Sequence, residues 1–256
     1  MKIIENYDYI LSIGAFFEDE KLKNSLQKAS SNGADFIYMH PIDNFELKDF
    51  YDQFIKYEVA SEEAILALIF NFFAKKLPKE QQDFLENLDI GYLSAESSAG
   101  EEEFEEAFLK FEEASKKALF IGDDLIKHIR VENIVKLLAN IKKYTDFELI
   151  FCDKIFEEKV NSCSDLSLDE VDDLQTFNGT LVYFTNTQNN EKLLASQTFL
   201  NIAKLKSGDT ASFKIDDKIY KKEIILDKNL LGTIALMSKP TSNYRFVKIV
   251  LNKEQN

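Results

Sequence analysis

Tryptophan is absent from this chain, and cysteine and histidine occur only twice each. Cys152 and Cys163 are too few for a self-contained iron–sulfur cluster, which takes four cysteine-type ligands. With only His40 and His128 beside them, most histidine-rich metal centres are excluded too. The missing tryptophan bears on packing style rather than chemistry, since 22 phenylalanines supply the aromatic bulk. No apolar run is long enough for a bilayer. The longest, "AILALIFNFFA" from Ala64 to Ala74, covers about half of a membrane span. Glu5 and Asp8 precede any apolar run, so no signal peptide is expected. A basic surplus is missing as well: 31 lysines and arginines face 45 acids, for a net charge of -14. That balance argues against nucleic acid and against anionic membrane surfaces as partners. The expectation is a soluble, cytoplasmic protein without direct membrane insertion.

What is present is an ordinary globular balance, 45% apolar and 30% charged, over 256 residues, enough for two small domains. The first half alternates strand and helix. "YDYILSIGA" (7–15) is the continuous apolar run of a strand buried on both faces. "DEKLKNSLQKASSNGA" has helical spacing and a glycine stop, and "DFIYMHP" is the next strand. "SEEAILALIFNFFAKKL" reads as a helix with Ser61 as its cap, acids in its first turn and lysines in its last. A looser helix follows over 79–88, then "GYLSAESSAG" as a flexible connection and "EEEFEEAFLKFEEASKK" as an amphipathic helix. The strand "ALFIGDD", a helix over "RVENIVKLLANIKK" and the strand "FELIFCD" close this half. The same unit, strand, Ile-Gly, helix, strand, thus occurs twice. The fold class is α/β, a parallel sheet with helices on both faces, over residues 1–153. Residues 154–177 read as an acidic linker. Residues 178–256 carry short β segments with turn signals and one helix near 197–203, expected as a small, mostly antiparallel β-barrel.

The chemical signals are sparse. Gly14 and Gly122 end strands at helix starts, where a glycine lets backbone approach a phosphate or another element. Neither a G-x-G-x-x-G nor a P-loop motif occurs. Asp123 and Asp124 would oppose a pyrophosphate, at about 1 kcal/mol per like-charge pair even in water-like surroundings. His40 stands at a strand end, where α/β folds place their sites, although a hydrogen-bonded structural histidine is the simpler reading. His128 and the consecutive aspartates are expected at the surface. No nucleophile elbow and no catalytic constellation is found. Lysines 204, 206, 214, 218, 221, 222 and 228 gather in the β-rich part, while acids crowd 96–175. This polarity suits docking of an acidic partner, with Lys214, Lys221 and Lys222 as the candidate contacts.

In their order, three segments resemble the molybdopterin oxidoreductase family: "YILSIGAFFEDEKLKNSLQKASSNGADFIYMHP", "ALFIGDDLIKHIRVENIVKLLANI", and "LLASQTFLNIAKLKSGDTASFKI" with its Ala203, Leu205, Gly208 and Asp209 signature. Within it the chain is most similar in tone to the G subunit of bacterial respiratory complex I, shortened and without cysteine-cluster motifs. The resemblance implies no molybdopterin and no iron–sulfur cluster. It implies an accessory subunit of an NADH-quinone oxidoreductase-like complex, peripheral on the inner membrane through other peripheral-arm subunits. Such a subunit would stand in place of the NADH-oxidising ones and dock flavodoxin or ferredoxin. Two other readings stand beside it: a flavin-binding oxidoreductase holding FMN or FAD near Gly14, His40 and Gly122, and a cofactor-free scaffold or chaperone.

Overall fold

A computed structural model describes residues 4–171, 173–186, 192–239, 241 and 243–254. The chain forms two compact units, one of residues 1–41 with 47–176 and the other of 42–46 with 177–256.

The first unit is α/β. Its strands are β1 (Tyr9–Ile13), β2 (Asp35–Met39), β3 (Gln53–Ile55), β4 (Lys117–Ile121) and β5 (Glu148–Phe151), paired in the order β3-β2-β1-β4-β5. Every ladder is parallel. The two-residue period of a strand sends neighbouring side chains to opposite faces. Tyr9, Leu11 and Ile13 of β1 join one core cluster, whereas Ile10 joins the other. Helix α1 (Glu20–Ser31) covers the second face through Leu22, Leu26 and Ala29. Its N-cap, Asp19, accepts from the Leu22 amide at 3.0 Å.

The other face carries α2 (Glu62–Phe73), α3 (Lys79–Glu86), α4 (Ile90–Ser97), α5 (Glu101–Glu113), α6 (Val131–Tyr144) and α7 (Lys154–Ser162). α2 is buried nearly all round because α4, α5 and α6 surround it. Ser61 does occupy its N-cap, but the hydroxyl makes no capping hydrogen bond, and the helix ends before Lys75. The stretch expected as a flexible connection is largely α4. Asp89 caps it through the Tyr92 amide at 2.9 Å, and Ser98 ends it in the left-handed region. Strand β3, too short for an alternation signal, was not foreseen.

The stretch expected as an acidic linker, 154–177, belongs to this unit in all but residue 177. It opens with α7, and Val171 beyond it is buried in the core. The segment after α7 runs as a strap fastened by side-chain amides, which offer a donor and an acceptor to extended backbone. Asn133 donates to the Asp169 carbonyl and accepts from its amide. Asn140 and Gln81 both donate to the Leu166 carbonyl, and Arg130 donates to that of Glu170. Composition reads as linker here because these backbone groups are satisfied from α3 and α6, not locally.

The second unit contains β6 (Leu181–Thr185), β7 (Lys192–Ala195), α8 (Gln197–Ala203), β8 (Thr210–Ile215), β9 (Lys218–Leu226), β10 (Ile234–Ser238), β11 (Phe246–Lys248) and β12 (Asn252–Lys253). They make one curled, mixed seven-stranded sheet, ordered β11-β6-β10-β7-β9-β8-β12. β6 runs parallel to β10 and β7 to β9, and the remaining ladders are antiparallel. The expected barrel is therefore a half-barrel among the described residues, with β11 and β12 at its two edges. α8 seats Phe199 and Leu200 in the sheet's own core. The Leu205-to-Asp209 signature forms the turn into β8: Gly208 takes φ +92°, and Asp209 accepts from the Lys206 amide.

Asn133→Ala removes both strap bonds and a donor to buried Glu63. It is expected to lower stability by about 2 kcal/mol and to open residues 164–176 to protease, measured by urea denaturation and limited proteolysis.

Candidate functional site

In a sheet of this order, chain crossovers leave β1 in opposite directions, and the carboxyl ends of β1 and β4 bracket the place where doubly wound folds take ligands. Gly14 follows β1 and Gly122 follows β4. Here the two meet each other. A Cβ on Gly122 would lie 1.9 Å from the Gly14 carbonyl oxygen and 2.4 Å from the Ala15 nitrogen. The Gly122 amide donates to Ile13 at 2.9 Å, and that of Asp124 donates to Gly14 at 3.1 Å. Gly14 adopts φ +63°, and a Cβ on it would fall 2.1 Å from Leu125. The short 3-10 turn Asp123–Lys127 thereby caps the end of β1. The space a phosphate would occupy beside both glycines is filled by this chain's own backbone and by Leu125.

His40 follows β2 and points back over the same edge. Its Nε2 lies 3.1 Å from Asp124 Oδ2, with both side chains fully buried. The ring stacks on Tyr38 at 5.8 Å and lies 5.5 Å from Phe16. His40, Gly14 and Gly122 are thus brought together, with Asp124 as the tie. Asp123 is exposed, but Asp124 is not. The expectation that consecutive aspartates face solvent fails at Asp124 because the 3-10 turn points it inward, to a histidine 84 residues away.

More titratable groups line this edge. Burial raises the Tyr57 hydroxyl well above its ordinary range, Glu62 and Asp124 add to that shift, and the Gly14 amide opposes it. His128, expected at the surface, is also buried. Its Nε2 donates to the Ala60 carbonyl at 3.0 Å and lies 3.5 Å from Glu62 Oε2, while Nδ1 accepts from the Arg130 amide at 3.0 Å. That pattern fits neutral imidazole, because a second ring proton would point at the Arg130 N–H. Burial accordingly lowers the His128 pKa; the Ala60 carbonyl opposes the shift and Arg130 reinforces it. Glu63, raised by burial, receives Arg130 Nε at 3.1 Å and Asn133 Nδ2 at 2.6 Å. A small cavity of about 220 Å³ reaches these groups, lined by Glu63, His128, Arg130 and the strap residues Glu170 and Asp173. Among His128, Glu63, Arg130 and Asn133 donors face acceptors of the chain itself, which is the arrangement of a structural network.

The lysines of the second unit divide by face. On the β8–β9 hairpin, Lys214 opposes Ile219 and Lys221 opposes Ser212, all outward. Lys222 opposes buried Ala211 and so belongs to the other face. Lys214 pairs with Asp217 at 3.1 Å and Lys221 with Glu254 at 3.3 Å. The alternation of "KIYKK" carries this signal, since adjacent lysines in a strand cannot share a face.

No protein-family model matches this sequence. None of the curated proteins compared with it is significantly similar.

Two outcomes follow from this geometry. Gly122→Ala is expected to destabilise by about 3 kcal/mol, whereas Gly33→Ala, at φ +87° with open space around it, costs about 1 kcal/mol. Equal costs in urea titrations would mean the crevice has room. For His128 the folded pKa lies below the unfolded one, so the unfolded chain binds the proton more readily and stability falls as pH drops below about 6.5. Glu63 works the other way at lower pH, because its raised folded pKa favours the native state on protonation. His128→Gln should flatten the pH 7.5 to 5.5 slope, which for one proton is at most about 1.4 kcal/mol per pH unit.

Proposed function

We propose that this chain works by contact with other proteins, as an accessory subunit of a complex-I-type quinone oxidoreductase, and that it docks an acidic electron carrier of the flavodoxin kind. One observation carries the first part: the carboxyl edge of the parallel sheet, where this fold class holds a nucleotide, is closed by Gly14 against Gly122 and by Leu125. FMN or FAD at these turns would have to displace that backbone contact and the Asp124 amide, and would meet the acids of the turn. The order of segments resembling the molybdopterin oxidoreductase family supplies the second part, together with the two-unit division of the chain. No helix among the described residues is long and apolar enough to cross a membrane, which agrees with attachment through other subunits.

The carrier contact is assigned to the outward face of the β8–β9 hairpin. Lys214 and Lys221 flank Ile219, which is 72% exposed. Their present partners, Asp217 and Glu254, are surface carboxylates, and exposed ion pairs exchange partners at little cost. An acidic protein can therefore replace them.

The test is a flavodoxin titration at low and high salt. Lys214→Glu with Lys221→Glu should weaken binding about tenfold at low salt and flatten its salt dependence, as loss of steering charges does. Lys222→Glu, on the opposite face, should have the smaller effect. Unchanged binding in the double variant removes the docking assignment.

A further inference from the structure

The first unit holds a second surface, opposite in charge to the hairpin, that the sheet edge does not include. α3, α4 and the strap enclose a cleft of about 710 Å³. Apolar side chains make up part of its wall: half-buried Phe84, Leu88 and Tyr92, with Leu168 and Val171 of the strap. Its rim is acidic. Glu80 and Asp83 come from α3, Asp89 from the α4 cap, and Glu170 from the strap. Among the described residues no lysine or arginine lines it, and the neighbouring Lys79 pairs with Asp83 and also reaches Glu86 at 3.9 Å.

These features select an occupant. An apolar wall left to water favours an apolar ligand, while four carboxylates around it reject anions and favour cations. Two aromatic rings in the wall add attraction for ammonium or guanidinium groups. A helix with one apolar stripe flanked by lysine and arginine meets both demands at once, in the helix-in-groove manner. A neutral helix leaves the rim unanswered, and an acidic carrier is repelled.

We infer that this cleft receives a basic amphipathic segment of a partner protein. The inference rests on the reading that the chain acts through protein contacts, and it adds where and by what chemistry one such contact is made. It also divides the labour between the units: the acidic cleft takes a basic partner, and the lysine hairpin takes an acidic one. Both surfaces are exposed, so their affinities fall with salt.

The probe is a fluorescein-labelled helical peptide of about 15 residues, with leucines on one stripe and lysine and arginine beside it. A sister peptide carries glutamate in the basic positions. Both are titrated into the full chain and followed by anisotropy. The basic peptide should bind, more weakly as salt rises, and the sister should not. Glu80→Gln with Asp83→Asn and Glu170→Gln should weaken binding about tenfold. These exposed or half-exposed positions allow neutral isosteres, and an unchanged thermal transition certifies the fold. No binding of the basic peptide, equal binding of both peptides, or affinity indifferent to the triple variant overturns the inference. Self-association abolished by that variant overturns it too, making a second copy, through Ile219 and its lysines, the occupant. The carrier proposal fails separately: loss of peptide binding leaves flavodoxin binding intact, and the hairpin variant leaves peptide binding intact.

Discussion

The α/β unit depends on a backbone-to-backbone contact between two glycines. At the ends of adjacent parallel strands, side chains would hold the following turns apart, and without them Gly122 lies on the Gly14 carbonyl. Several consequences descend from that contact. The 3-10 turn after β4 folds back across β1, Leu125 fills the space over Gly14, and Asp124 is carried inward. Glycine at a strand end thus serves to shut a crevice here rather than to line one.

Closing the edge buries charge, and the residues around it answer that cost. A buried carboxylate without partners is far more expensive than one that accepts hydrogen bonds. Asp124 meets His40, Glu62 lies beside His128, and Glu63 receives both Arg130 and Asn133. His40, Asp124, His128 and Glu63, residue types that elsewhere perform acid–base chemistry, are bonded to other side chains or to backbone. Arg130 and Asn133 also hold the strap at Asp169 and Glu170, so the network at the sheet edge and the path of residues 163–171 are parts of one arrangement. The proposed contact with other proteins rests on that closed edge and on the charge of the two units' surfaces: carboxylates around a cleft in one, lysines around Ile219 in the other.

Some of this was legible beforehand. The continuous apolar runs of β1, β2 and β4 announced strands buried on both faces, and the periodicity of α1, α5 and α6 placed those helices closely. Helix α8 falls where one helix near 197–203 is expected, and Ser196 caps it through the Phe199 amide. Other elements gave weak signals. α4 reads as a loop because it contains glycine and serines; its stability comes from the Asp89 cap and from Leu93 in the core. β3 and β7 are too short for their alternation to stand out. The strap resembles a linker in composition, since its hydrogen-bond partners lie 26 to 85 residues away.

The amino-acid order alone determined the α/β class of the first unit, the change to β structure near residue 177, and the net acidity of the chain. Those properties are local or additive, because strand runs, helical periods and charge sums need no knowledge of neighbours in space. Tertiary structure decided what the glycines touch and which aspartate of the 123/124 pair is buried. It also decided that the described residues of the second unit form a curled, mixed half-barrel sheet. Each of these depends on elements far apart in the chain meeting at one point, and a one-residue change in register or a different turn would reverse it.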